Sequence, residues 1–130
     1  MSIEVGIKGR ADDVVSEKNT AQAACSGALP VFGTPFMTAL MEKAAWTSIA
    51  PYLAEGESTV GTKLNVSHDS ASPIGMKVWA ESEVTEVDGK RIELKVWAYD
   101  EKGLIGQGIH QRFIVTNERF LAKTARKLEG

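Results

Sequence analysis

The order of apolar and polar positions divides this chain into one long helix and a series of strands. Ile3 to Lys18 carries short alternating stretches, Val5 with Ile7 and then Val14 with Val15, broken by Gly6 and Gly9. That pattern predicts one or two short strands. Asn19 to Pro30 is rich in Ala, Ser and Gly and has no strong periodicity, so it reads as a loop with one helical turn at Thr20 to Ala24. Thr34-Pro35 is a helix start: the Thr hydroxyl can accept an orphan backbone N–H, and Pro at the first helical position has no N–H to leave unpaired. Good helix formers continue from Pro35 to about Ala50, and Pro51 marks the end. At the helical period Phe36, Leu40 and Ala44 share a face with Met37 and Met41 beside them, while Trp46, Ile49 and Leu53 cover much of the opposite side. A helix apolar nearly all round is a buried one.

After the turn at Glu55-Gly56-Glu57 the chain reads as strands and turns up to residue 117. Thr59 to Ser67 alternates, which places Val60, Leu64, Val66 and His68 on one side and Lys63, Asn65 and Ser67 on the other. Ser72-Pro73-Ile74-Gly75 is a turn. Met76 to Val87 and Arg91 to Tyr99 form two strands joined by Asp88-Gly89, a strong hairpin signal. Asp100 to Gly103 turns again, Leu104 to Thr116 is a last long strand containing Gly106 and Gly108, and Asn117 is placed to cap a short amphipathic helix from Glu118 to Lys127. A buried helix cannot be covered by one side of a single flat small sheet. The order of elements therefore predicts an α+β roll in which a curved antiparallel sheet wraps the helix, with a second subunit covering the remaining apolar surface.

Composition narrows the classes without naming a chemistry. A length of 130 residues predicts a single domain, residues 1 to 130, with enough chain for a sizeable core. Lys plus Arg number 15 against 17 Asp plus Glu, a net charge of −2, which removes the basic signature of a dedicated nucleic-acid binder. No apolar run reaches the roughly 18 residues of a membrane helix, and Met1 to Arg10 lacks the pattern of a secretory leader, so a cytoplasmic location is expected. The single cysteine, Cys25, excludes a disulfide framework, and two histidines without a carboxylate cluster at ligand spacing predict no metal site.

Three side chains stand out by position. Glu42 falls between Ile49 and Leu53 on the helical wheel, an apolar sector where a carboxylate either escapes to solvent, pairs with an Arg, or serves as a poised base or nucleophile in a pocket. His68 is read on the inward face of its strand, as a core histidine or as a group that moves protons near neutral pH. Thr34 is read as a helix cap, or as a hydroxyl nucleophile or donor where the helix dipole favours negative charge. His110 and Arg112 share a face of the last strand, where a solvated or interface role is the default expectation. Gly103 to Gly108 has no helix after it and is not a dinucleotide fingerprint. Lys123 to Lys127 reads as a solvated basic face.

Two separated segments carry a resemblance. Thr34-Pro35-Phe36-Met37-Thr38-Ala39-Leu40-Met41-Glu42-Lys43-Ala44-Ala45 resembles the central helix of hotdog-fold acyl-CoA thioesterases, most closely the family that includes the fluoroacetyl-CoA thioesterases. Gly61-Thr62-Lys63-Leu64-Asn65-Val66-Ser67-His68 with Ser72-Pro73-Ile74-Gly75 resembles that family's second motif, and the spacings Thr34 to Glu42 and Glu42 to His68, 8 and 26 residues, are similar as well. The resemblance covers roughly residues 3 to 127. It implies a hotdog fold, a homodimer or higher oligomer with the site at the subunit interface, and hydrolysis of a short or medium acyl-CoA. It implies Thr34, Glu42 and His68 as the catalytic group, Gly61 at the thioester carbonyl and Arg112 near the site. No cofactor is implied beyond the coenzyme A carried by the substrate. Members tuned to very small acyl groups use aromatic residues in a lid before the helix, and Ala21 to Leu29 here contains none. A non-catalytic acyl-CoA or small-ligand binding hotdog protein remains the alternative, while the paired His and carboxylate motif of hotdog hydratases is not found.

Overall fold

The structure, a computed structural model, describes residues 2 to 129. Strand β1 (Lys8–Val14) leads through a loop to helix α1 (Thr34–Ile49), followed by β2 (Glu57–His68), β3 (Lys77–Asp88), β4 (Arg91–Asp100), β5 (Gly103–Thr116) and helix α2 (Asn117–Ala125). The five strands form one antiparallel sheet in the order β1-β3-β4-β5-β2. Each expected strand is present, and the hairpin between β3 and β4 is closed by Gly89-Lys90, one residue beyond the expected Asp88-Gly89, with Asp88 paired to Arg91 and Gly89 at φ 61°. The expected turn at Thr20 to Ala24 is present too, closed by a bond from the Ala24 N–H to the Thr20 carbonyl. No helix among the described residues is long and apolar enough to cross a membrane.

Helix α1 lies across the inner face of the sheet, packed against β1 and β3 and in lesser part β4 and β2. Its buried residues are Met37, Leu40, Met41, Ala44, Ala45 and Ile49, facing Val78, Ala80 and Val84 of β3 and Ile92, Leu94, Val96 and Ala98 of β4. Each large apolar side chain removed from water here contributes roughly 1.5–3 kcal/mol. Ala44, Ala80 and Ala98 keep the helix close to the sheet. Closest of all is Gly9 in β1, where a Cβ would lie 2.2 Å from the Ala44 carbonyl oxygen, so any side chain there would push the helix away.

Two expectations are corrected. Leu53, placed with Trp46 and Ile49 on the helix, lies beyond it, past a short 3-10 turn at Ala50–Tyr52, while Trp46, 46% exposed, belongs to the apolar surface expected to lie outside the cover of one chain. Only the sheet-facing stripe is buried within one chain, so the opposite side is open for further packing. The alternation in β2 also fails at one point. Gly61 pairs with Arg112 while Lys63 pairs with Gln111, so Thr62 is an extra residue in a bulge. Cross-strand partners share a face. Gly61 therefore joins Leu64, Val66 and His68 on the inner face, and Val60, opposite Phe113, belongs to the outer one. A bulge inserts one residue and reverses the parity that simple alternation assumes.

Candidate active site

The N-terminus of α1 meets the end of β2. Thr34 is the first residue of the helix and Pro35 the second, while the residue preceding them, Gly33, is the N-cap with no side-chain capping bond. The expectation that the Thr34 hydroxyl caps the helix is therefore corrected. Its Oγ1 instead lies 2.7 Å from Nδ1 of His68. The physical reason is that proline in the first turn and the Gly33 carbonyl, which accepts from the Phe36 and Met37 N–H groups, start the helix through the backbone. The hydroxyl is left free for the imidazole.

His68 is half-buried, and its Nε2 is buried without a hydrogen-bond partner among the described residues. Burial lowers its pKa below the ordinary imidazole value, opposed by the Ser70 backbone and the Asp69 charge. The ring is therefore neutral at pH 7 and able to take a proton. Phe32 packs edge-on against it at 6.5 Å between centroids. The loop carrying Phe32 is tied down by its own N–H bonding the Ser72 carbonyl, and by the buried Ser72 hydroxyl donating to Asp100 at 2.7 Å. Thr34 and His68 open into a cleft of about 680 Å³ whose walls include Phe32, Thr38, Ala21 and Ser26.

A second cluster sits further along the same helix. Glu42, 41% exposed, faces Arg112 across 3.6 Å. This realises the Arg-paired alternative for Glu42. Arg112 is buried, its Nε donating to Thr59 Oγ1 at 2.8 Å and its Nη2 to the Thr59 carbonyl at 3.0 Å. Burial lowers its pKa, which the Glu42 charge opposes. The solvated alternative for His110 and Arg112 is corrected, since their exposures are 1% and 6%. Both lie on the inner side of β5, where the Lys63 carbonyl and the Thr59 oxygens of the neighbouring strand β2 meet them. At Gly61 a Cβ would stand 2.8 Å from Glu42 Oε2 and 3.4 Å from Arg112 Nη1. Glycine thus lets the carboxylate reach the strand backbone beside the bulge.

Thr34 with His68, and Glu42 with Gly61 and Arg112, are thus two groups rather than one within a single chain. Eight helical residues, about 12 Å of axis, separate Thr34 from Glu42. Thr59 and His110 complete the second group. Strand parity placed His110 on the same face as Arg112 without marking that face as buried, whereas Thr59 depends on the bulge, for which the sequence carries no signal beyond Gly61.

Comparison with known proteins is consistent across sequence and structure. The family model for fluoroacetyl-CoA-specific thioesterase matches residues 15–118. A fluoroacetyl-CoA thioesterase from Streptantibioticus cattleyicolor is 41% identical over 97 residues, spanning 75% of this chain and 70% of that one. A solved structure of a fluoroacetyl-CoA thioesterase superposes with a TM-score of 0.92 at 34% identity, covering 98% of both chains. A point mutant of a fluoroacetyl-CoA-specific thioesterase, in complex with fluoroacetate and CoA, superposes at 0.85 with 35% identity, over 91% of this chain and 99% of that one. A hot-dog-like protein from Thermanaerovibrio acidaminovorans superposes at 0.89 with 25% identity, over 98% and 95% of the two chains.

Proposed function

The chain belongs to the fluoroacetyl-CoA-specific thioesterase family and is a hotdog-fold hydrolase of acyl-CoA thioesters; within that activity, we propose that Thr34, Glu42 and His68 do the chemistry on a short or medium acyl group. The observation that carries the assignment is the Thr34–His68 hydrogen bond at the wall of an open cleft, with the second ring nitrogen buried and unpaired. An attacking oxygen bonds to the thioester carbon as its proton passes to a base. The C–S bond then breaks and the coenzyme A thiolate takes a proton from the conjugate acid. Glu42 activates water, or attacks directly to give a mixed anhydride that water then hydrolyses to free acid and the restored carboxylate; in either course His68 moves the water proton and Thr34 orients the imidazole. A backbone N–H at Gly61 stabilises the oxyanion, because glycine permits close approach. The reaction needs no cofactor beyond the coenzyme A of the substrate.

The two groups of residues meet, in this reading, at an interface between copies of the chain. Glu42 is half-exposed, Trp46 is uncovered on the same helix, and β2, which carries Gly61 and His68, is an edge strand with one side free to pair. Sedimentation at micromolar concentration is expected to show a dimer or larger oligomer. A folded, fully active 14.0 kDa monomer overturns this part of the reading.

The acyl pocket is less restrictive than a fluoroacetyl-selective one, because the 21–29 stretch of the cleft wall contributes the small Ala21 and Ser26 and no aromatic ring, Phe32 lying instead edge-on against His68. Release of free thiol from acetyl-, propionyl-, butyryl- and fluoroacetyl-CoA is the direct test. Comparable kcat/KM across the panel is expected. A steep preference for fluoroacetyl-CoA refutes the open pocket, and binding without thiol release from any of them supports the non-catalytic alternative.

A further inference from the structure

We propose that His110 is a positioning residue: as a neutral imidazole protonated at Nδ1, it fixes the plane in which the Arg112 guanidinium faces Glu42. This rests on the reading of Glu42 as a reacting group. The tautomer follows from the neighbours. Nδ1 lies 2.9 Å from the Lys63 carbonyl, which can only accept, so Nδ1 carries the proton. Nε2 lies 3.0 Å from Arg112 Nη1, which can only donate, so Nε2 must offer its lone pair. Among the described residues the other hydrogen bonds of Arg112 both go to Thr59, through Nε and Nη2, on one side of the guanidinium. The bond to His110 is the third support and the one made by the nitrogen that faces Glu42.

Protonation of His110 would break this arrangement. An imidazolium sets N–H against N–H at the Arg112 contact and adds a second positive charge in a buried site. The charged and titratable groups around the ring are Glu42 from α1 and Arg112 from β5; Lys63 of β2 contributes its carbonyl, and the β4 residue opposite is the uncharged Leu94. Burial and the Arg112 charge lower the pKa of His110, against the Lys63 carbonyl and Glu42, so the ring stays neutral at pH 7. Below that lowered pKa the guanidinium is released from its plane.

The chain has two histidines, which makes the test direct. In the nitrogen NMR spectrum of the intact protein at pH 7, His110 is expected to show a protonated Nδ1 and an unprotonated, accepting Nε2. The opposite tautomer, or an imidazolium, overturns the proposal. His110→Gln places an acceptor near the Nε2 position, whereas His110→Asn keeps only the bond toward Lys63. His110→Gln is expected to hold kcat/KM within about threefold, while His110→Asn loses about tenfold or more through misplacement of Arg112. The acid limb of log kcat/KM against pH is expected to be steeper in wild type, where His68 and His110 both take up a proton, than in His110→Gln, where His68 alone does. Equal losses in both folded variants, or none in either, overturn the proposal. Absence of thiol release by the wild-type chain strikes at the reading of the site instead, and the nitrogen spectrum still decides the state of His110.

Discussion

Glu42→Gln is expected to lower thioester turnover by at least about 10²-fold with the fold intact, the lower end of what a lost general acid–base group costs. The substitution keeps length, shape and the packing of the side-chain stem against the helix. It removes the carboxylate oxygen that could accept a proton or attack. Stability is expected to change little, within about 1 kcal/mol, because the ion pair is long at 3.6 Å, its carboxylate is 41% exposed, and Arg112 keeps its bonds to Thr59 and His110. The measurement is thiol release at saturating acyl-CoA, alongside thermal unfolding and sedimentation to confirm a folded protein of wild-type size. A rate within a few-fold of wild type makes Glu42 a structural partner of Arg112 and removes it from the chemistry.

The sequence carried the elements well because their signals are local. A run of helix formers bounded by Thr34-Pro35 and Pro51 needs no tertiary knowledge, and the glycine after Asp88 marks the hairpin to within one residue. What could not be read was set by contacts between distant residues. The hydroxyl of Thr34 has two possible acceptors or donors within reach, the helix backbone and an imidazole 34 residues away, and local capping rules consider only the first. The bulge at Thr62 is a property of the β2–β5 pair, so alternation along β2 placed Val60 on the wrong face. Burial of His110 and Arg112 likewise depends on the pairing of β5 with β2, which brings the Lys63 carbonyl and the Thr59 oxygens to the two side chains. The spacing of Thr34, Glu42 and His68 was legible, but their division into two groups was not, because it depends on how far along α1 the β2 strand crosses.

The second large effect is at the Thr34–His68 pair. His68→Ala is expected to lower turnover by about 10²-fold or more, as loss of the group that shuttles the proton. Thr34→Ala should fall in the same direction without a drop in the unfolding midpoint, since the hydroxyl is spent on Nδ1 and the helix begins on the Gly33 carbonyl. That absence of a stability cost separates this geometry from a capping role, in which Ala would lose about 1 kcal/mol. Thr34→Ser restores an Oγ within reach of the imidazole and should recover most of the activity. The double variant should lose far less than the product of the two singles, because removing either member of a coupled pair already disables the other. The pH profile gives the sign: a base must be neutral, burial holds His68 below the ordinary imidazole pKa, and activity is therefore retained at pH 7 and lost as pH falls through that lowered value. A folded Thr34→Ala protein that is less stable yet hydrolyses acyl-CoA at the wild-type rate returns Thr34 to a purely structural role, and full activity in His68→Ala does the same for the imidazole.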